Sequence, residues 1–446
     1  MQNDLLDICN RVIKIGTGLG AGEVEVFVTR HSSIEAGFEN NEMKMAKRTT
    51  SSAAGIRVFR NRSLGFASVN SLEPERLEKA VKEAVALTKN APADANNGLP
   101  EPRPLQPLSG LFDSRIAALG EEEVLERAHK MLTSASGVDP RVSVDGGRFE
   151  AAHGSKAIAN SFGIEGSEEF SAIYSDIGAH AIEGSIVSSL DFRFDGTRTI
   201  LEDNSERISV ELAEATVESL AAKKIESHVG SVIFSPLAAI EVFISPIFFS
   251  VDANNVQKGV SRFRDKQGEI VAAEMLTVTD DGTIQGGLSS SAFDREGIPH
   301  RPIKIINEGR LGAFLYDSYT ARKDGVESNG HAAGSPRSVP TIDATNVEVA
   351  AGTSTLDDLV SSVRRGLLVH RFSGRVDPVS GDFSGVAKGS KSIEAGSIRG
   401  AVRETLISGN VYEMLTRLSG LSRESERILD HRLPHFAVDG ISITGG

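Results

Sequence analysis

Two histidines on one helical face can share a metal ion, so their spacing is the first test of what chemistry this chain can do. There are ten histidines, and only His431 and His435 stand four apart. Pro434 lies between them and opposes an uninterrupted helix, and no glutamate follows His431 to act as a base. The expectation there is a loop carrying two unrelated histidines. Cys9 is the sole cysteine, which excludes an internal disulfide and any CxxC metal or redox site. It falls on the apolar stripe of the opening segment, where it reads as a small buried residue.

His331 stands in Glu327-Ser-Asn-Gly-His-Ala-Ala-Gly334, a polar, glycine-containing loop. Such loops can offer backbone N–H groups to ligands, which makes Ser328, Asn329, Gly330 and His331 candidates for a peptide-binding or interface loop. The alternative is a His331 that is merely exposed. There is no G-x-S-x-G, so a serine nucleophile elbow has no support. There is no G-x-x-x-x-G-K-[ST] phosphate cradle either. Asp280-Asp281-Gly282 reads as a turn: as a calcium loop, its last ligand would be Leu288 rather than glutamate. Asp357-Asp358 falls at a predicted helix start, where the helix dipole accounts for both charges.

The elements that must position these residues follow from periodicity. Leu5, Ile8, Cys9, Val12 and Ile13 mark an amphipathic opening helix. Strand-like runs follow around residues 23–30, 55–60 and 64–70, then a helix with Pro74 near its start. Residues 91–107 hold five prolines and no period, and read as an extended linker or surface crossing. Helices are predicted at about 120–135 and 203–223, with strands over 141–145, 169–180 and 185–195 between them. Beyond residue 226, turn signals such as Asp281-Gly282, Asn329-Gly330 and Ser380-Gly381 multiply, as in a β-rich unit with hairpins. Helices are predicted there at 235–249, 355–365 and 408–419, and a closing strand at 437–444. The expected fold is α+β: an N-terminal α/β sandwich-type lobe with antiparallel sheets, then a β-rich C-terminal domain with a few helices. The expected units are 1–110, 111–225 and 226–446.

The 446 residues carry a net charge of −13, which argues against nucleic acid as main partner. No run approaches the 18 or so apolar residues of a membrane span, and the N-terminus lacks the pattern of a signal peptide. A cytoplasmic location is expected.

The window Val232–Phe249, VIFSPLAAIEVFISPIFF, has one carboxylate, Glu241, and no histidine or cysteine. With Lys258-GVSRFRDKQG-Glu269, the run from Asp280 to Gly334 and the run from Arg371 to Leu415, it resembles the TldD/PmbA family, first named as modulators of DNA gyrase. The N-terminal runs EVFVTR and GIRVFRNRSLGFASVN and the middle run AIANSFGIEGSEEFS fit the same pattern, so the resemblance spans nearly the whole chain.

The resemblance implies a peptidase complex. In its catalytic TldD-type subunit, a helical H-E-x-x-x-H supplies two metal-binding histidines and a base, and a cysteine near the C-terminus completes the site. Aligned on Lys258-Gly259, the first histidine falls at Ile244, the glutamate at Ser245 and the second histidine at Phe249. The C-terminal segment has no cysteine. The pattern is that of the PmbA type, also called TldE. It implies no metal or cofactor in this chain, a metal-bearing TldD-type partner and an unfolded peptide substrate, with a homodimer as the assembly of the isolated chain. Whether the chain is itself an enzyme stays open. The rival readings are a homodimeric binding or scaffold protein, as the gyrase label implies, and an independent metal-free hydrolase. Phe243, Ile244, Ile247 and Phe248 are expected to be buried, with apolar side chains filling the volume that ligands and water take in a catalytic subunit.

Overall fold

The computed structural model describes residues 2–445. The opening periodicity forms α1 (Gln2–Gly18), followed by β1 (Glu23–Glu39), β2 (Glu42–Arg60), β3 (Ser63–Val69) and α2 (Pro74–Leu87). Next come α3 (Glu121–Ser136), β4 (Val142–Asn160), β5 (Glu165–Glu183), β6 (Asp191–Thr197) and α4 (Ser205–Ser219). The strands form one antiparallel sheet in the order β3-β2-β1-β4-β5, with β6 beside β5.

The long strands explain how four helices share this sheet. β2, β4 and β5 have 19 residues each, a length of roughly 60 Å, whereas a 14-residue helix spans roughly 21 Å. One helix pair therefore cannot cover the sheet. α1 and α2 pack on Val24, Val26, Val28, Ile56 and Val58 at one end. α3 and α4 pack on Ile34, Phe38, Phe149, Ile173 and Ile177 at the other. β1 pairs with β4 from Glu25↔Asn160 to Glu39↔Gly146, so residues 1–110 and 111–225 contribute to a single sheet. The stretch expected to be a strand at 185–195 is split. Ile186–Val187 pairs back on β5 after a turn at Gly184, whose φ is +62°, and pairing resumes only at Asp191.

The proline-rich crossing is tied down on both sides. The Arg322 guanidinium donates to the carbonyls of Asn96, Gly98 and Leu99 at 3.1, 2.9 and 2.5 Å, while Glu23 accepts from the Leu99 N–H at 2.6 Å.

The C-terminal part is β-rich. β7 (His228–Phe234) lies between β8 (Arg365–Val369), which runs parallel to it, and β9 (His431–Thr444), which runs antiparallel. This sheet has thirteen strands and encloses the largest apolar cluster of the described residues, into which a helical run, α5 (Pro236–Val251), is inserted. The helix expected at 408–419 forms over Val411–Thr416 and is capped by Asn410, whose side chain accepts from the N–H groups of Tyr412 and Glu413.

Candidate functional site: a ligand-free helix beside a cleft

α5 follows directly from β7. The Ser235 hydroxyl caps it by accepting from the Ala238 N–H at 3.2 Å, and Pro236 takes the first turn, where a missing N–H costs little. Its inner face buries Leu237, Ala238, Val242, Phe243, Ile247 and Val251. Phe243 meets Phe234 edge-on at 5.4 Å and lies tilted against Phe436 at 5.1 Å. Residues Ile240–Ile244 widen into a π turn before an α-helical turn resumes at Ser245. Pro246 has no N–H to donate, and the widening falls just before it, where a regular ladder would be broken.

The expected burial of this helix holds for Phe243, Ile244 and Ile247 but not for Phe248, which is only half-buried. The volume beside it is not filled either. Ile244, Ser245, Phe248 and Phe249 line a cleft of about 540 Å³, and Ser245 is exposed in it. The cleft is also lined by Asp252, Asn255, Asp343, Asp430 and His431. Apolar packing is thus complete on the inner face of α5 only; its outer face looks onto open space with polar groups across it.

Asp252, Asn255, Asp430 and His431 are committed to the protein, whereas Asp343 is exposed. Asp252 accepts from the Asn254 N–H at 2.8 Å and from the Asn255 amide at 3.4 Å. Asp430 accepts from the Ser289 hydroxyl at 2.7 Å and pairs with His431 Nδ1 at 2.8 Å. Burial pushes the Asp430 carboxyl up, but the contacts to His431 and Ser289 outweigh it and hold it below the usual range. Among the described residues, no group of three or more His, Cys, Asp and Glu side chains is arranged to hold a metal ion. The donor set does not fit the metal centre of a catalytic subunit.

His431 and His435 are not in a loop but on strand β9, where four residues span roughly 13 Å, too far to share an ion. His435 contacts Ser422 instead. The loop 328–331 is not exposed: Ser328, Asn329 and His331 are all buried, His331 to 1%. Its ring bridges Asp280 at 2.8 Å and the Asn329 side chain at 3.1 Å, and Asp280 also accepts from the Thr345 hydroxyl and N–H. The N–H of Gly330 points to Ser328 and that of His331 to the Tyr316 carbonyl, so neither is offered to a ligand. This loop braces the cleft wall from inside.

Pattern reasoning left Glu241 without a role. Its carboxylate accepts from the Phe372 N–H at 2.5 Å and lies 3.7 Å from the Arg371 guanidinium. Arg371 in turn pairs with Asp191 of the N-terminal sheet at 3.1 Å. Burial pushes Glu241 up to about 7, against the pull of Phe372 and Arg371. A lone carboxylate in an apolar window was the only signal of this link. A second junction had no signal: Arg57 reaches both Glu25, at 2.6 Å, and Glu296, at 2.7 Å, while Arg295 holds Glu25 at 3.0 Å.

Comparison with known proteins places these features. The model of PmbA/TldA metallopeptidase domain 1 matches residues 24–88, and that of the PmbA/TldA metallopeptidase C-terminal domain matches residues 227–445. Metalloprotease PmbA of Escherichia coli is 24% identical over 95% of this chain and 92% of its own length. A metalloprotease of Methanothermobacter thermautotrophicus is 28% identical over 90% of this chain and 88% of its own. The crystal structure of TldE from Thermococcus kodakarensis superposes with a TM-score of 0.90 at 27% identity, covering 98% of this chain and all of that one (100%). A Thermotoga maritima structure described as a modulator of DNA gyrase shares the fold, with a TM-score of 0.89 at 23% identity over 98% of this chain and 99% of that one. The chain belongs to the PmbA/TldD metallopeptidase family, and its structure closely matches that of a TldE.

Proposed function

We propose that this chain is the non-catalytic subunit of a TldD/PmbA-type peptidase: it encloses an unfolded peptide that a TldD-type partner cleaves. The observation that carries this reading is the pairing of an open cleft with a helix that has Ile244, Ser245 and Phe249 where the resemblance requires His, Glu and His. Space for a peptide is kept, while among the described residues no group of three or more His, Cys, Asp and Glu side chains could hold a metal ion. At the rim, Ala332–Ala333 pairs with Thr341–Ile342, and Ile342 lines the cleft. The Ala332 edge of this ladder is taken by Asp294 and the Arg295 N–H, so Thr341–Ile342 is the edge on which an extended peptide can add as a strand. The metal, base and thiolate belong to the partner, and this chain supplies binding and exclusion of water. The expected location remains the cytoplasm; no helix of the described residues is long and apolar enough to cross a membrane.

The test is reconstitution. Mixed with its cognate TldD-type chain, this protein is expected to form a complex that cleaves unfolded peptide and loses that activity to a chelator. Comparable cleavage by the isolated chain with chelator present overturns the proposal in favour of a metal-free hydrolase.

A further inference from the structure

A second recess lies beside the cleft and shares the lining residues Ser289, Asp343, Ala344 and Thr345 with it. Its volume is about 260 Å³, and it lies where the N-terminal sheet meets the C-terminal part. The walls bring together three cationic side chains from distant parts of the chain: Lys156, Arg198 and Arg295.

Their pairing is unequal. Lys156 is matched by Glu168 at 2.9 Å. Arg198 is buried, with 8% of its surface exposed, yet it spends its donors on the carbonyls of Leu111, Gly287, Leu288 and Ser290 rather than on a carboxylate. Arg295, with 4% exposed, stacks its guanidinium 4.2 Å from the Phe27 ring and pairs with Glu25 through Nη1, which leaves Nε and Nη2 without a partner. Unpaired buried donors are costly, and a guanidinium matches the two oxygens of a carboxylate.

Two carboxylates also line the recess: both oxygens of Asp294 are turned to the backbone, whereas Asp343 is exposed and has one oxygen so held. Asp294 accepts from the N–H groups of Glu296, Ile298 and Ala332. Asp343 accepts from the Ala344 N–H. Burial, with the nearby charge of Glu296, pushes the Asp294 carboxyl up.

We propose that this recess binds a carboxylate group of the peptide lying in the adjoining cleft. The inference rests on the reading of that cleft as a peptide enclosure, and it adds a substrate class: peptides are held by a free C-terminus or by an acidic side chain. Capture of a carboxylate by fixed donors at the end of a groove is a recurring mode of peptide recognition.

Calorimetric titration of the isolated full-length chain tests it. The probes are one short alanine–serine peptide as free acid, the same peptide as C-terminal amide, and the amide with its central serine replaced by glutamate. Inorganic phosphate serves as the free-anion control. The expected result is at least about tenfold tighter binding of a carboxylate-bearing peptide than of the plain amide, a difference of about 1.4 kcal/mol. Preference for the free acid assigns the C-terminus, and preference for the glutamate peptide assigns the side chain. Arg295→Met should abolish the preference. Arg295 also belongs to the ion-pair junction, so Lys156→Met, which leaves that junction intact, should weaken it as an independent variant. Equal binding of all three peptides, no binding of any, phosphate binding without discrimination among the peptides, or a preference that survives both variants overturns the proposal. Chelator-sensitive proteolysis by the mixed subunits is read separately. If it persists while the preference is missing, the recess assignment fails and the proposed function stands.

Discussion

Arg57→Met tests the junction that holds the N-terminal sheet against the C-terminal part and shares Arg295 with the proposed carboxylate recess. In the native chain, Arg57 Nη2 lies 2.6 Å from Glu25 and 2.7 Å from Glu296, and the side chains of Arg57, Glu25 and Glu296 are 7, 0 and 1% exposed. Methionine fills most of the volume but supplies no charge. Glu25 keeps Arg295, whereas Glu296 keeps only Ser318 as a donor, through its N–H at 2.8 Å. Removing one partner of a buried pair costs about 3–5 kcal/mol, which for a cooperative unit of ordinary domain size lowers the melting temperature by on the order of 10 °C. The sign of the pH dependence identifies the cause. Burial alone raises the Glu296 carboxyl, but Arg57 and Ser318 outweigh it, so in the native chain it lies below its ordinary value of 4.5. That contribution is present above pH 4.5 and is lost as pH falls through the lower folded value. Without Arg57, burial dominates and the folded value rises above the unfolded one. The variant then loses stability as pH climbs, and its deficit against the native chain should narrow as pH is lowered from 8 to 5. Parallel thermal melts of both proteins across that range measure the gap. A deficit that is the same at every pH, or one below about 1 kcal/mol, would refute the assignment of this cluster as a charge-paired junction.

Phe243→Ala should cost about 3–5 kcal/mol in denaturant titration, because the ring is fully buried between Phe234 and Phe436. Glu241→Gln should gain on the native chain as pH rises from 5 to 8. The folded carboxyl is raised from 4.5 to about 7, so its stabilising contribution is fully present below pH 4.5 and is lost as pH rises through 7, by at most about 3 kcal/mol. pH-dependent melts of the pair read this out, and a constant difference would remove Glu241 as a titrating link to Arg371. Elemental analysis of the dialysed chain should find no stoichiometric zinc or iron. The triple variant Ile244→His, Ser245→Glu, Phe249→His should remain inactive in a peptide-cleavage assay without a TldD-type partner, since the thiolate and the groups that orient the ligands are still missing.

What the sequence revealed, and what it hid, divides by the range of the interaction. The opening helix was legible because Leu5, Ile8, Cys9, Val12 and Ile13 all face one core, and α5 because Pro236 and a capping serine precede an apolar run. Both signals lie within a few turns of one element. The continuity of the N-terminal sheet was not legible. It depends on β1 meeting β4 more than a hundred residues later, and the proline-rich stretch between them looks like a boundary. His331 was misplaced for the same reason. Its loop has the composition of an exposed turn, but the ring is drawn inside by Asp280, 51 positions away. Likewise, Glu25 reads as a solvent-facing residue of an alternating strand until Arg295, 270 positions away, turns it into a buried ion pair.

The candidate site shows the sharpest division. Which side chains α5 lacks could be read from the sequence alone, but the space beside it could not, because its lining also draws Asp343 and Asp430 from two distant segments. Nor could the π turn at Ile240–Ile244, though a departure from regular helix is what five-apart histidines would need in a catalytic relative. In this chain the turn stands without any ligand to hold. It is stabilised by its apolar inner face, with Val242 and Phe243 wholly buried, and it accommodates the missing N–H of Pro246. The shape of the helix and the chemistry it could carry are therefore separable. The packed core keeps the wall of the cleft in place whatever side chains the outer face carries, which is the combination the proposed enclosing subunit requires.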